Sequence, residues 1–202
     1  MTTETIFRLL TAFTLFIVLS ISISFRHKAE REGGRLEKSQ GQRLLMPLRL
    51  LGIVGLLPLF GYLVNPDWVA WARVALPDWL RWVAVVMAFS LVPMIYAVFR
   101  AIGNNISPTE ATRANHQLIT SGPYRWIRHP LYTFGALFLL ALMVQTTLWW
   151  LGVFLLPALL ALHWRTRYEE ANLVARFGDD YRRYMQQTGR FLPKLGMAPT
   201  HR

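Results

Sequence analysis

The sequence predicts an all-α integral membrane protein of about five transmembrane helices, with a C-terminal helical hairpin and a cytoplasmic C-terminal helix. Three observations carry that expectation. Hydrophobic residues make up 53% of the 202-residue chain, its mean hydropathy is +0.30 and only 16% of its residues are charged, against about 25% in an ordinary soluble domain. The apolar residues gather into runs long enough, or nearly so, to cross a bilayer, which takes about 20 residues of helix. The cations sit between those runs, the distribution a membrane imposes.

The runs, in order, are 5–25, 44–64, 81–102, 131–146 and 148–165. Glu4 precedes the first, with no basic lead and no small-residue cleavage site, so this run reads as a retained helix and not a signal peptide. Between the second and third lies PDWVAWARVALPDWL, whose three tryptophans suit the membrane–water boundary. Only Thr146, Thr147 and their neighbours separate the fourth run from the fifth, which predicts a tight antiparallel hairpin. Beyond it, periodicity through Leu173, Val174 and Phe177 continues the fifth helix out of the membrane until Gly178 breaks it. DDYRRYMQQ then reads as a short helix with its acidic pair at the positive N-terminus. The chain reads as one folded unit. Residues 1–99 carry the first three helices, and 100–202 carry the loop, the hairpin and the C-terminal segment.

Orientation follows from the cations. Of the 22 lysines and arginines, all but Arg8, Arg49, Arg73 and Arg81 fall in the connections 26–43 and 103–130, at their edges, or in the tail. Five spans with the N-terminus outside put those segments in the cytoplasm. The net charge of +11 therefore speaks for a membrane, not for nucleic acid. With no cysteine there is no disulfide framework, thiolate metal site or cysteine nucleophile. No second histidine stands at metal spacing from His116, so no metal is expected. His163, within the fifth run, reads as a packing residue. Dinucleotide and phosphate-loop glycine motifs, the GxSxG elbow and HExxH are all absent. The runs hold too few ionisable groups for a transporter.

Two constellations remain. SGPYRWIRHPLY, residues 121–132, places Arg125, Arg128 and His129 between Pro123 and Pro130. Each proline removes an N–H and turns the preceding residue away from the helical region, so the stretch is a shaped loop with backbone groups left to bind something. Tyr124, Trp126 and Tyr132 offer ring faces to a cation. The same residues also describe an ordinary juxtamembrane loop facing lipid headgroups. The second constellation is Arg165 with Glu169 and Glu170. Arg165 and Glu169, four apart, share a helix face at the bilayer edge, as in a modest surface ion pair.

Taken in order, His116, Leu118 through Tyr132, Arg165, Glu169, Glu170, Leu173, Phe177, Gly178, Tyr181, Tyr184 and Pro193 resemble the isoprenylcysteine carboxyl methyltransferase family and its phospholipid methyltransferase relatives. The resemblance covers about residues 100–195. It implies a membrane methyltransferase that uses S-adenosyl-L-methionine at the cytoplasmic face and acts on a lipophilic acceptor. Carried over by position, it implies cofactor contacts from His116, Gln117, Leu118, Ile119, Tyr124, His129, Pro130, Leu131, Tyr132 and Glu169. Arg128 or His129 suits the cofactor's carboxylate, and Glu170 joins Glu169 as a group suited to its hydroxyls or amine. Arg165 would face the substrate and, with Glu169, serve catalysis. The acceptor type expected is a prenylcysteine carboxylate, with a phospholipid amine or a small thiol as alternatives within the same chemistry. A non-catalytic membrane scaffold or transport accessory is the alternative of another class.

Overall fold

In a computed structural model, residues 2–32, 42–103 and 117–194 are described, and the account below is of these. His116, Arg35, Lys38 and most of the connection after the third run lie outside the described residues. Six α-helices are present: α1 (Thr3–Glu32), α2 (Gln42–Val64), α3 (Asp78–Ile102), α4 (Pro130–Thr146), α5 (Trp149–Phe177) and α6 (Asp179–Gln187). Short 3₁₀ turns occupy Pro66–Ala72 and Gly122–Arg125. Among the described residues the only strand-like pairings are two isolated bridges, Arg73 with Leu148 and Ile127 with Gly189.

The apolar runs become helices, and the ends differ for reasons legible in the residues. α1 outlasts its apolar run because Arg26 to Glu32 contains good helix formers and no breaker. α5 runs unbroken to Phe177 and stops at Gly178, whose φ of 54° and ψ of −126° suit glycine alone. By length and composition, α1 (Thr3–Arg31) and α3 are the two helices of the described residues that would cross a membrane on their own, with Gly52–Val64 and Pro130–Thr146 as shorter apolar helices.

The core lies where α3 packs along α4, α1 along α3, and α2 along α5. Leu59, Tyr62, Leu91, Ile95, Phe99, Phe138 and Leu142 fill it. Ala72, Ala88 and Ala141 are fully buried, letting backbones approach as membrane helices favour. At Gly55 a Cβ would lie 2.8 Å from Phe154, so only glycine permits that α2–α5 contact. Outside, Phe13, Phe16, Leu57, Val86, Leu156 and Leu160 are exposed, a surface that suits lipid. Exposed Trp149 opens α5, and exposed Trp164 and Tyr168 lie 15 and 19 residues on. At about 1.5 Å per residue the belts are roughly 22–28 Å apart, close to the hydrocarbon thickness of about 30 Å.

The end of the bundle opposite α6 is tied by a polar knot. Glu4 accepts from Tyr62 (2.7 Å), Arg73 (2.9 Å) and both terminal nitrogens of Arg81 (3.2 Å each). Arg81 is buried, lies over the Phe7 ring at 3.8 Å and donates Nε–H to the Gln145 carbonyl at 3.0 Å. Arg73 bonds Thr147 Oγ1 at 3.0 Å, and Arg8 donates to the Leu63 and Val64 carbonyls at the end of α2. Gln145 reaches Thr11 at 2.8 Å. Three of the four cations that fall outside the connections 26–43 and 103–130 and the tail, Arg8, Arg73 and Arg81, are therefore engaged within the protein.

Candidate functional site

Pro130 begins α4, and the residue before it cannot join the helix easily. His129 accordingly has φ −123° and ψ 58°, which leaves its N–H free to pair elsewhere. It donates to Arg190 O at 3.1 Å, Arg128 N–H donates to Gly189 O at 2.9 Å, and Gly189 N–H returns to Trp126 O at 3.3 Å. The loop is thus paired, residue against residue, with a strap at 188–191 that follows α6. Upstream, Gly122 takes a φ of 59°, and a Cβ there would come 3.3 Å from Ala101 of α3. Glycine alone lets the turn sit on α3 in that conformation.

Glu170 is the hub. Its Oε1 accepts from Arg128 Nε at 2.8 Å and faces His129 Nε2 at 3.3 Å, and its Oε2 accepts from Arg190. Burial works against the charge, but the bonds from His129, Arg190 and Arg128 prevail and hold the carboxyl down at about 2. The rest of the Arg128 fork reaches the Met185 carbonyl at 3.1 Å and that of Thr188. These bonds close the end of α6 onto the loop. On α6, Tyr181 and Tyr184 are buried, and Tyr184 donates to the Tyr124 carbonyl at 2.6 Å.

Beside the hub is an aromatic wall. Tyr132 donates to Glu169 Oε2 at 3.1 Å, and its ring lies parallel to His129, with centroids 5.6 Å apart and planes 7° apart. The half-buried Tyr124 phenol is pushed well above its usual range, first by burial and then by the charges of Glu169, Tyr184 and Tyr132. Phe191 packs between His129 (5.9 Å) and His163 (6.1 Å), which makes His163 a packing residue. Arg165 is half-buried on α5, one helical turn before Glu169. Pro130 and Arg165 each stand 16 residues from the hairpin turn, so the two constellations lie at one depth, beside the Trp164 and Tyr168 belt.

The structure brings Tyr124, Arg128, His129, Tyr132, Glu169 and Glu170 together, with Pro130 buried and Leu131 half-buried at the head of α4. Gln117 is exposed, Leu118 and Ile119 are half-buried ahead of the loop, and His116 is outside the described residues. Among the described residues no group of three acids or histidines is placed to hold a metal. Sequence reasoning missed Arg190, Phe191 and Thr133, whose hydroxyl donates to Phe191 O at 2.9 Å. Arg190 had shown only as one more tail cation.

The sequence profile described as phospholipid methyltransferase matches residues 79–180, just over half of the chain. The chain belongs to the phospholipid methyltransferase family. The matched stretch runs from α3 through the loop and the hairpin into the start of α6. Among solved structures, the fold is similar to that of a eukaryotic intramembrane Ras methyltransferase, isoprenylcysteine carboxyl methyltransferase, with a TM-score of 0.53 and 18% identity. That alignment covers 80% of this chain and 55% of the other, so the chain spans about half the length of this relative. No curated protein sequence gives a significant match.

Proposed function

We propose that the protein is a membrane methyltransferase that uses S-adenosylmethionine and acts on a lipophilic acceptor at the cytoplasmic leaflet, most closely of the carboxyl O-methylating type. The observation that carries this reading is the bond from Tyr132, in the Tyr124–His129–Tyr132 wall, to Glu169, one helical turn from Arg165, at the depth of the α5 aromatic belt. A ligand from the cytosol and an acceptor from the lipid can meet there.

The residues fit the cofactor's chemistry. When bound, S-adenosylmethionine supplies a methyl group on a cationic sulfur and leaves as a neutral thioether. The Tyr124 and Tyr132 rings can sit against a cation. Glu169 accepts bonds from hydroxyls or an amine. Arg165 can hold a carboxylate through two parallel bonds, a geometry lysine does not reproduce. No covalent nucleophile on the protein is needed, and the rate rests on alignment and water exclusion.

The charges favour a carboxylate acceptor. Arg128, Arg165 and Arg190 outnumber Glu169 and Glu170 around the site. A carboxylate oxygen can take a methyl group without losing a proton, whereas an ammonium must first lose one. Glu170, held ionised by its three partners, is no base at neutral pH. The second reading, methylation of a phospholipid amine, is favoured by the family profile over α3 to α5.

Incubation of the protein in nanodiscs with methyl-labelled S-adenosylmethionine, N-acetyl-S-farnesylcysteine and phosphatidylethanolamine separates the two. Label appearing as a base-labile methyl ester on the farnesylcysteine supports the leading reading. Label on the phosphatidylethanolamine amine alone would transfer the assignment to the second. Label on neither acceptor, with no binding of S-adenosylhomocysteine, would remove the methyltransferase reading.

A further inference from the structure

The imidazole of His129 is held from several sides. Glu170 stands before Nε2, Tyr132 covers a ring face, Phe191 packs at its flank, and the backbone N–H is bonded to Arg190 O. We propose that Arg190 is a positioning residue. By holding Glu170, it fixes neutral His129 as the tautomer protonated at Nε2, so that Nδ1 is presented to the bound cofactor as a hydrogen-bond acceptor.

The geometry leads there stepwise. Arg190 bonds Oε2 of Glu170 and Arg128 bonds Oε1. A carboxylate gripped by two guanidiniums is ionised and can only accept. His129 Nε2 lies 3.3 Å from Oε1, with both side chains about 5% exposed. Two lone pairs would repel at that distance in a dry setting, so Nε2 carries the proton. In a neutral imidazole the other nitrogen is then the acceptor. Among the described residues no bond to Nδ1 is formed.

This constrains the ligand. Nδ1 can accept from the exocyclic amine of an adenine or from the ammonium of an amino acid, and it disfavours a carboxylate at that spot. The ligand's identity rests on the S-adenosylmethionine reading; the tautomer rests on the residues alone.

The test uses the full chain in nanodiscs, labelled with ¹⁵N at its five histidines. His129 is assigned by loss of its signal in His129→Gln. At pH 8 an ordinary histidine is neutral, and long-range proton–nitrogen NMR identifies which nitrogen is protonated. Wild type and Arg190→Lys are expected to show Nε2–H, and Arg190→Ala a mixture of tautomers. S-adenosylhomocysteine should move the Nδ1 resonance toward that of a hydrogen-bonded acceptor. Its affinity should fall on the order of tenfold in Arg190→Ala, as for one hydrogen bond lost, and stay near wild type in Arg190→Lys.

An unprotonated Nε2 in the wild type overturns the proposal, and this arm decides even if Arg190→Ala does not fold. Unchanged tautomer and affinity in a folded Arg190→Ala also overturn it. S-adenosylhomocysteine that binds without moving the Nδ1 resonance overturns the role toward the cofactor and leaves the methyltransferase reading intact, whereas absence of binding counts against that reading and not against the tautomer.

Discussion

Replacing Glu170 with glutamine keeps the shape of the hub and removes its charge. In the folded protein the carboxyl is held at about 2, against about 4.3 for a free glutamate. Two or so pKa units at 1.36 kcal/mol each amount to about 3 kcal/mol of stability, near the low end of the roughly 3–5 kcal/mol typical when one partner of a buried pair is removed. The side chain is only 5% exposed, so screening by water does little to reduce that figure. Because the folded-state pKa is depressed, the contribution is fully present above about pH 4.5 and is lost as the pH falls toward 2. At 2–4 °C per kcal/mol for a chain of this size, Glu170→Gln should lower the unfolding temperature in detergent by roughly 6–12 °C at pH 7. The gap to wild type should narrow between pH 4.5 and 2. A variant within about 2 °C of wild type at pH 7, with no narrowing on acidification, would refute the reasoning: the bonds from Arg128, Arg190 and His129 would then contribute nothing net.

Arg165→Lys should lower turnover strongly while S-adenosylhomocysteine affinity, measured calorimetrically, stays near wild type. Glu169→Gln should chiefly weaken cofactor binding, and effects below about twofold in both variants would remove the pair from the site. Gly178→Ala should cost roughly 1–3 kcal/mol from backbone strain alone, since a Cβ there meets nothing within 4 Å; unchanged thermal stability would contradict the φ of 54°. Reporter fusions after residues 35, 72, 115 and 202 should read inside, outside, inside and inside, and an outside signal at 115 would sink the five-span arrangement.

What the sequence showed was local. Helix α6 coincides with DDYRRYMQQ, because a glycine, two acids and a run free of breakers define a short helix without outside help. The continuation of α5 to Phe177 and the narrow α4–α5 turn were equally plain. The hub was not. Arg190 meets Glu170 across 20 residues and Arg128 meets the Thr188 carbonyl across 60, and no periodicity records such pairings. Arg128 or His129 was expected to face a ligand's carboxylate, and nothing in the sequence signalled that three bonds of Arg128 close the protein on itself. Glu4 had served only to argue against a signal peptide. Its partners are brought to it by packing of α1 against α2 and α3, and a single acid carries no sign of that.

The hairpin is pinned far from the proposed site. At its tip, Val74 N–H donates to Thr147 O at 3.0 Å, Arg73 grips the Thr147 hydroxyl, and the Trp149 indole bonds Trp71 O at 3.4 Å. From that pivot to Arg165 the arm is about 24 Å long, 16 residues at about 1.5 Å each. A tilt of about 2° at the pivot therefore sweeps the guanidinium through roughly 0.8 Å, more than the 0.5 Å or so that a reacting constellation tolerates. Thr147 and Arg73 touch no part of the site. Stiffness at the tip of the hairpin nonetheless sets the accuracy of alignment at the proposed site, so Thr147→Ala should slow the proposed methyl transfer while leaving the side chains of that site in place.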